Sequence, residues 1–380
     1  MAKKNFTVKL SPISGSSFSN LFRLFKGNQI DAKYYPKIVF FIIISALVEP
    51  FRWVERKLQK KKIENYQFQE DPIFIIGHWR SGTTFLHNIL CQDRQMGFVT
   101  TFQAIYPETI FSGKRMVKGM MKVMMPKNRA ADNMELGTDL PQEEEFALSN
   151  THAMSYYNFW FFPKRWKEYF KNYIEFKGVS EDIRERWKSE YVKLIKKAMI
   201  NTNGKRFISK NPPNTGRIDL LLELFPNAKF IHIYRHPIDT FVSTKKYVAE
   251  TIRPLQLHDI DPKELEDNIL WTYDKLMKRF ESQKNLIPTE NLIDIKYEEF
   301  EEHPMDGLKA IYDQLNIPGF ENARAQFKAY LKEQKDYQKN EHVYPEETIK
   351  KVTQNWGFAM EQWDYNVQGK TKPTLQAQFN

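Results

Sequence analysis

Short apolar runs, set off by glycine, proline and asparagine, divide this chain into alternating strand and helix signals. Ile73–Ile76 is apolar throughout and bounded by Pro72 and Gly77, the pattern of a strand buried on both faces. Beyond the turn, Phe85, Ile89 and Leu90 fall at helical spacing. Ser180 opens a helix whose apolar side runs through Ile183, Trp187, Tyr191, Leu194 and Ala198, and Asn203-Gly204 ends it. Phe207-Ile208 reads as a short strand that Lys210-Asn211-Pro212-Pro213 breaks. Ile218–Phe225 is helical, and Lys229–Tyr234 (KFIHIY) is a further strand. Thr240–Tyr247 and a segment through Leu265, Ile269, Tyr273, Leu276 and Phe280 are helical. Leu292–Ile295 is the last strand, and a polar helix with Trp356, Phe358 and Trp363 closes the chain. Strand, helix, strand in this order predicts right-handed parallel crossovers: an α/β class protein with a parallel sheet flanked by helices.

Other segments carry weaker signals. Residues 1–35 are basic, contain SPISGSSFSN and show no clear period, so they read as an arm or linker. Ile38–Val48 (IVFFIIISALV) is too short to cross a bilayer, which takes about twenty residues. Trp53, Arg52, Arg56, Lys57 and Lys60–Lys62 follow it, so 36–62 suits either a core helix with a basic tail or peripheral contact with a membrane surface. Gly97–Gln103 is expected as a second strand. Met116–Met125, with five methionines, suits adaptable core or the wall of a greasy pocket. In Asp139–Leu148 (DLPQEEEFAL), Asp139 caps a predicted helix and Pro141 and Glu143–Glu145 occupy its first turn. The division expected is an N-terminal extension, 1–65, and one catalytic unit, 66–380.

Composition narrows the function. A 380-residue chain with 41% hydrophobic and 27% charged residues has the makings of a large folded core. The net charge of +10 fits an anionic ligand or surface. No zinc finger, basic heptad helix or RNP motif supports nucleic acid. Cys91 is the sole cysteine, which excludes an intrachain disulfide and points to a reducing, cytoplasmic compartment.

The chemistry concentrates where strand signals give way to helix signals. After Ile76 come Gly77, then Arg80, Ser81, Gly82, Thr83, Thr84 and Phe85, a glycine-bearing turn opening a helix whose unpaired N–H groups and positive dipole end suit an oxyanion. The spacing of Gly77 and Gly82 is P-loop-like. Thr83, however, stands where a nucleotide triphosphatase carries its lysine, and the cation is Arg80 instead. A second such turn follows KFIHIY, with Arg235 at the strand's carboxyl end and Ser243 eight residues on.

These segments resemble the PAPS-dependent sulfotransferase family, in its bacterial-type form with an RSGTT loop. HWRSGTT resembles the family's 5′-phosphosulfate loop, with Arg80 as its cation. LFPNAKFIHIYRHPIDTFVS resembles the 3′-phosphate strand, loop and helix, with Arg235 and Ser243 at the family's spacing. IDIKYEEFEEHP resembles the strand whose tyrosine, here Tyr297, lies near the adenine. The similarity covers roughly residues 70–320. It implies the sulfotransferase fold, PAPS as cofactor with PAP as product, and transfer of a sulfuryl group to an acceptor hydroxyl without a required metal ion. Lys210, in SKNP, matches the family lysine that neutralises the leaving phosphate.

The base is less plainly marked, because Pro212 occupies the place where cytosolic small-molecule members carry a histidine. The acidic run supplies the expected base, Glu143 first and Glu144 second. His152 is held in reserve, and Glu108 and His87 are weaker candidates. Tyr156–Phe162 (YYNFWFF), the methionine-rich segment and the apolar N-terminal stretch suit a hydrophobic alcohol such as a sterol or lipid, with a carbohydrate hydroxyl still open. Two rivals stand beside this reading: a P-loop kinase or nucleotide phosphotransferase, and a basic, membrane-associated anion-binding protein.

Overall fold

Five strands form one parallel sheet in the order β2-β3-β1-β4-β5: β1 (Ile73–Ile76), β2 (Met96–Gly97), β3 (Arg206–Lys210), β4 (Lys229–Tyr234) and β5 (Leu292–Lys296). The structure, a computed structural model, describes residues 11–128, 134–334 and 344–367. β1 lies in the middle and is fully buried, as four consecutive β-branched and aromatic side chains require. Register sets the strand ends. Ile75 pairs with Lys210, and Tyr234 with Lys296. The carboxyl ends of β3, β1, β4 and β5 therefore deliver Lys210, the Gly77–Gly82 turn, Arg235 and Tyr297 along one edge, where open α/β sheets place their ligands.

Helices cover both faces. Phe74 and Ile76 of β1 join the larger core with Tyr191, Ile195 and Trp356, whereas Ile73 and Ile75 join a smaller one with Leu86, Leu308 and Ile311. The Phe85, Ile89, Leu90 spacing becomes the helix Thr83–Leu90, and the Ser180 signal becomes Glu181–Thr202 with Asn203 in the left-handed conformation at its end.

Three expectations need correction. Of the predicted arm, residues 1–10 lie outside the described residues, but the rest is folded. Pro12–Gly15 is a 3-10 turn, and Phe18–Phe25 is a helix that buries Leu21 and Leu24. Its polar residues hold it down: Ser16 donates to Asn150 Oδ1 at 2.9 Å and Asn20 to the Ser149 carbonyl at 2.7 Å. The expected strand over 97–103 ends at Gly97, because Thr100 accepts from the Gln103 N–H and caps a helix, Thr101–Ile105. The helix predicted to start at Asp139 starts at Glu144 instead. Asp139 is drawn to Lys118 at 2.5 Å, and the Gln142 N–H bonds to the Val99 carbonyl, which keeps the preceding residues extended.

Candidate functional site

The turn after β1 is shaped by contacts that a side chain would forbid. Gly77 adopts φ 141°, and a Cβ there would overlap the Ile233 carbonyl of β4. Thr215 pins it from the other side, its hydroxyl accepting from the Gly77 N–H at 2.8 Å and donating to the Gly77 carbonyl at 3.1 Å. Gly82 adopts φ 90° and lies flat on the Tyr297 ring, which a Cβ would penetrate. The first bond of the helix runs from Leu86 N to the Gly82 carbonyl, so helix geometry does not use the N–H groups of Thr83, Thr84 and Phe85. The Phe85 side chain packs edge-on against Phe300 at 5.9 Å, leaving only its backbone to the site. Ser81 and Thr83 are buried, and Thr84 is half-buried.

The two predicted loops meet. Arg80, left-handed at φ 71°, donates from Nε to Ser243 Oγ at 2.9 Å, and its guanidinium lies 5.4 Å from the Tyr247 ring centre. Arg235 lies over Tyr297 at 4.7 Å, so the cation of the second loop and Gly82 of the first touch one ring, whose hydroxyl donates to Glu301 at 2.8 Å. The Arg235 Nε atom is buried and has no hydrogen-bond partner among the described residues. Glu298 fixes the second loop by accepting from the His236 N–H at 3.0 Å.

The three consecutive glutamates have three different fates. Glu143, at the helix start, pairs with Lys210 of β3 through one oxygen and accepts from the Tyr157 hydroxyl through the other. Tyr157 in turn accepts from Trp79 Nε1 at 2.7 Å, which links this group to the first loop. Burial, with Glu143 adding to it, pushes the Tyr157 phenol well up, so it keeps its proton and stays a donor. Glu144 is fully buried, with Ser209 3.1 Å away as its hydrogen-bond partner. Burial pushes its carboxyl up to about 8, so it is largely neutral at pH 7. Glu145 is buried against Arg217 at 2.8 and 2.9 Å. Burial alone would raise its carboxyl, but Arg217, Asn211 and the Tyr156 N–H outweigh it and hold the group below the ordinary value.

The other candidate bases lie elsewhere. Glu108 pairs with Arg56 at 2.9 Å and His152 sits 3.7 Å from Glu190. Both line a cavity of about 740 Å³ between the Tyr35–Leu58 and Glu181–Thr202 helices. His87 is sealed in the interior, and burial, with Lys210 nearby, pushes it well below its ordinary value. Sequence reasoning missed His78. Burial lowers it to about 3, so it is neutral, and because a carbonyl can only accept, its Nδ1 carries the proton to the Trp79 carbonyl at 2.7 Å. It also missed the Trp79 to Tyr157 contact, for which only the position of Trp79 inside the loop offered a signal.

Tyr156–Phe162 is buried core throughout, and within it the Tyr157 hydroxyl is bonded to Trp79 and Glu143. In front of it, Trp79, Tyr156, Phe159, Tyr247 and Val248 line an apolar pocket of about 20 Å³, room for roughly one water. No cluster of three or more metal-ligating side chains occurs among the described residues.

A parallel sheet with two strand-to-helix turns side by side, the first with Arg80 inside it and Thr83 where a P-loop has its lysine, defines a P-loop-like α/β protein. A sequence profile described as the sulfotransferase family matches residues 72–322. The chain belongs to that family and is a sulfotransferase. It is 29% identical over 306 residues, 80% of this chain and 78% of the relative, to the omega-hydroxy-beta-dihydromenaquinone-9 sulfotransferase Stf3 of Mycobacterium bovis, and equally to that of Mycobacterium tuberculosis. In fold it is similar to sulfotransferase STF9 from Mycobacterium avium, with TM-score 0.65 and 15% identity, covering 96% of this chain and 99% of the other. It is also similar to STF1 from Mycobacterium tuberculosis, with TM-score 0.62 and 16% identity, covering 89% and 90%.

Proposed function

We propose that this sulfotransferase uses PAPS and sulfates a hydroxyl of a lipid-like acceptor, with Glu143 as base. The observation that carries the reading is the convergence of Arg80, Ser243, Gly82, Tyr297 and Arg235 on one edge of the sheet. These residues suit a nucleotide with an anion at each end: a glycine turn that admits no Cβ, a buried Arg235 Nε with no partner among the described residues, and two planar forks for oxyanions.

PAPS, when bound, supplies the sulfuryl group and departs as adenosine 3′,5′-bisphosphate. Arg80, Ser81, Thr83, Thr84 and the backbone from Gly82 to Phe85 then bind and orient the sulfonate end, where fixed donors stabilise developing charge. Arg235 and Ser243 hold the 3′-phosphate, and Tyr297 offers its ring to the base. Glu143 takes the acceptor proton, while Tyr157 and Trp79 aim its carboxylate. Lys210, held by Glu143 in this structure, exchanges that partner for the charge on the leaving oxygen and so releases a carboxylate oxygen for the proton. Glu144, facing Ser209 with no exposed surface, is not assigned this role.

The acceptor class rests on the hydroxylated menaquinone for which the mycobacterial relatives are named. A steroid is the narrower alternative, and the cytoplasmic placement and the division at residue 65 belong to the same proposal. Family membership takes the place of the kinase and binding-protein alternatives. Thermal shift without metal tests the donor: strong stabilisation by adenosine 3′,5′-bisphosphate and none by Mg-ATP is expected. Transfer of label from PAPS to a hydroxylated quinone then tests the acceptor. A protein that responds to neither nucleotide would overturn the reading.

A further inference from the structure

We propose that the outward face of the Tyr35–Leu58 helix, with the Phe18–Phe25 helix beside it, docks the enzyme flat on an anionic lipid surface. The proposal depends on the sulfotransferase reading for its use but not for its physics.

The Tyr35–Leu58 helix is apolar on both its inner and its outer face. A helix on a water-facing surface turns its charges out and its apolar stripe in. Here the inner face buries Phe41, Ile44 and Val48, as expected, but it also draws in two charges, Arg52 and Glu55. Arg52 is 1% exposed and donates to the carbonyls of Gly15 and Ser16, both at 3.0 Å, and of Ser45 at 2.9 Å. Glu55 is 2% exposed, accepts from the Phe111 N–H at 2.8 Å and pairs with Lys197 at 2.6 Å.

The outer face is apolar. Tyr35, Val39, Ile43, Leu47 and Trp53 follow one another in helical steps, with exposed Pro50 between the last two, and each of the five is more than half exposed. The neighbouring helix leaves Phe18 at 59% and Phe22 at 65% exposed while burying Leu21 and Leu24. A contiguous patch of this kind marks an interaction surface.

Charge identifies the partner. Apart from the buried Arg52, residues 11–64 carry nine basic side chains against four acidic ones; of the nine, Lys33 pairs with Asp259 and Arg56 with Glu108. Lys57 lies 4.0 Å over the Trp53 ring, and Lys60, Lys61 and Lys62 follow directly, the aromatic and basic edge that suits an anionic headgroup layer. A second copy of this chain fits poorly. With Lys37 near one end of the stripe and the Lys57–Lys62 cluster at the other, parallel and antiparallel pairing both set lysines against lysines, while Lys33 is already paired with Asp259.

The helix also cannot leave the protein to span a bilayer. Arg52 and Glu55 tie its inner face down, and no described helix is long and apolar enough to cross. It therefore lies along the interface.

Flotation of the full chain with phosphatidylglycerol-containing vesicles and with pure phosphatidylcholine vesicles, without donor or acceptor, tests this. The wild type should float with the anionic vesicles, less as salt rises, and far less with the zwitterionic ones. Ile43→Asp/Leu47→Asp should lower the partition by about tenfold or more, and Lys60→Glu/Lys61→Glu/Lys62→Glu should remove the preference for anionic lipid. Val39→Ser/Leu47→Ser gives the same reading should the aspartates disturb folding. An unchanged thermal shift with adenosine 3′,5′-bisphosphate in the variants shows the nucleotide site intact. A wild type without that shift would sink the donor reading while leaving the docking face standing. Wild-type protein that stays off both vesicles, variants that float as the wild type does, or a dimer that Ile43→Asp/Leu47→Asp converts to monomer would overturn the docking proposal.

Discussion

Arg80 Nε donates to Ser243 Oγ at 2.9 Å across 163 positions of sequence, and this bond joins the turn after the central strand to the helix after β4. Arg80 makes it from a left-handed backbone at φ 71°, a conformation that costs a side chain about 1–2 kcal/mol. Strain at a residue aimed between two loops is the signature of a site that gives up stability for geometry. Arg80→Gly should therefore hold or slightly raise the melting temperature in the absence of ligand while abolishing stabilisation by adenosine 3′,5′-bisphosphate. Arg80→Lys keeps the charge but loses the fork, and its turnover should fall by about 10²–10³. A melting curve with and without nucleotide reads the first, and steady-state kinetics the second.

Gly82 gives the converse case. Its φ of 90° and the Tyr297 ring against its α-carbon leave no space for a methyl group. Gly82→Ala should lower stability by about 1–3 kcal/mol, as overpacking does, and displace Tyr297 from beneath Arg235. Nucleotide affinity should fall with it. Tyr297→Ala removes the clash but not the positive φ, so the double variant should recover only part of the loss in chemical denaturation.

For Glu143, removing the charge while keeping the shape is the cleanest test. Glu143→Gln should lower kcat by about 10²–10⁴, the usual worth of a positioned base, while the bisphosphate affinity changes little. Tyr157→Phe should cost less, and mainly in kcat, since the phenol only steers the carboxylate. Turnover near the wild-type rate in Glu143→Gln would remove Glu143 from the mechanism.

How much of this was legible in the chain depends on distance along it. The turn after β1 and the turn after β4 are strand, turn and helix within about twenty residues each, so their local pattern announces them. The bond between Arg80 and Ser243 is not local, and only the resemblance placed those residues on one ligand. Sequence could not sort Glu143, Glu144 and Glu145, because identical side chains were given different partners by β3 and by Arg217, some 65 to 72 positions away. The burial of Arg52 and Glu55 was hidden for a related reason. An apolar run shows that a helix is there, but the partners of its few charges decide which side faces in.

Arg217 and Glu145 form the anchor for all three carboxylates. Both are fully buried, and the pair ties the acidic helix to the turn after β3. Breaking it leaves an uncompensated charge in the interior, so Arg217→Met or Glu145→Leu alone should destabilise by about 3–5 kcal/mol. The two together should cost less than the sum of the singles, a coupling that denaturant melts of the cycle can measure.

Glu144 should reveal itself through pH. Its carboxyl is pushed up to about 8 in the folded protein, chiefly by burial, whereas in the unfolded chain it ionises near the ordinary 4.5. Between those values the native state binds the extra proton, so its contribution to stability is fully present below about pH 4.5 and is lost as pH rises towards 8. Glu144→Gln keeps a neutral group of similar shape beside Ser209 at every pH. Wild type and variant should therefore melt alike near pH 5, and the variant should become the more stable of the two as pH approaches 8. The gap should reach a few kcal/mol at most, since each tenfold change in proton affinity corresponds to about 1.4 kcal/mol before the site relaxes. Parallel melting curves for the two proteins across that range would rule out a neutral Glu144 in the native core.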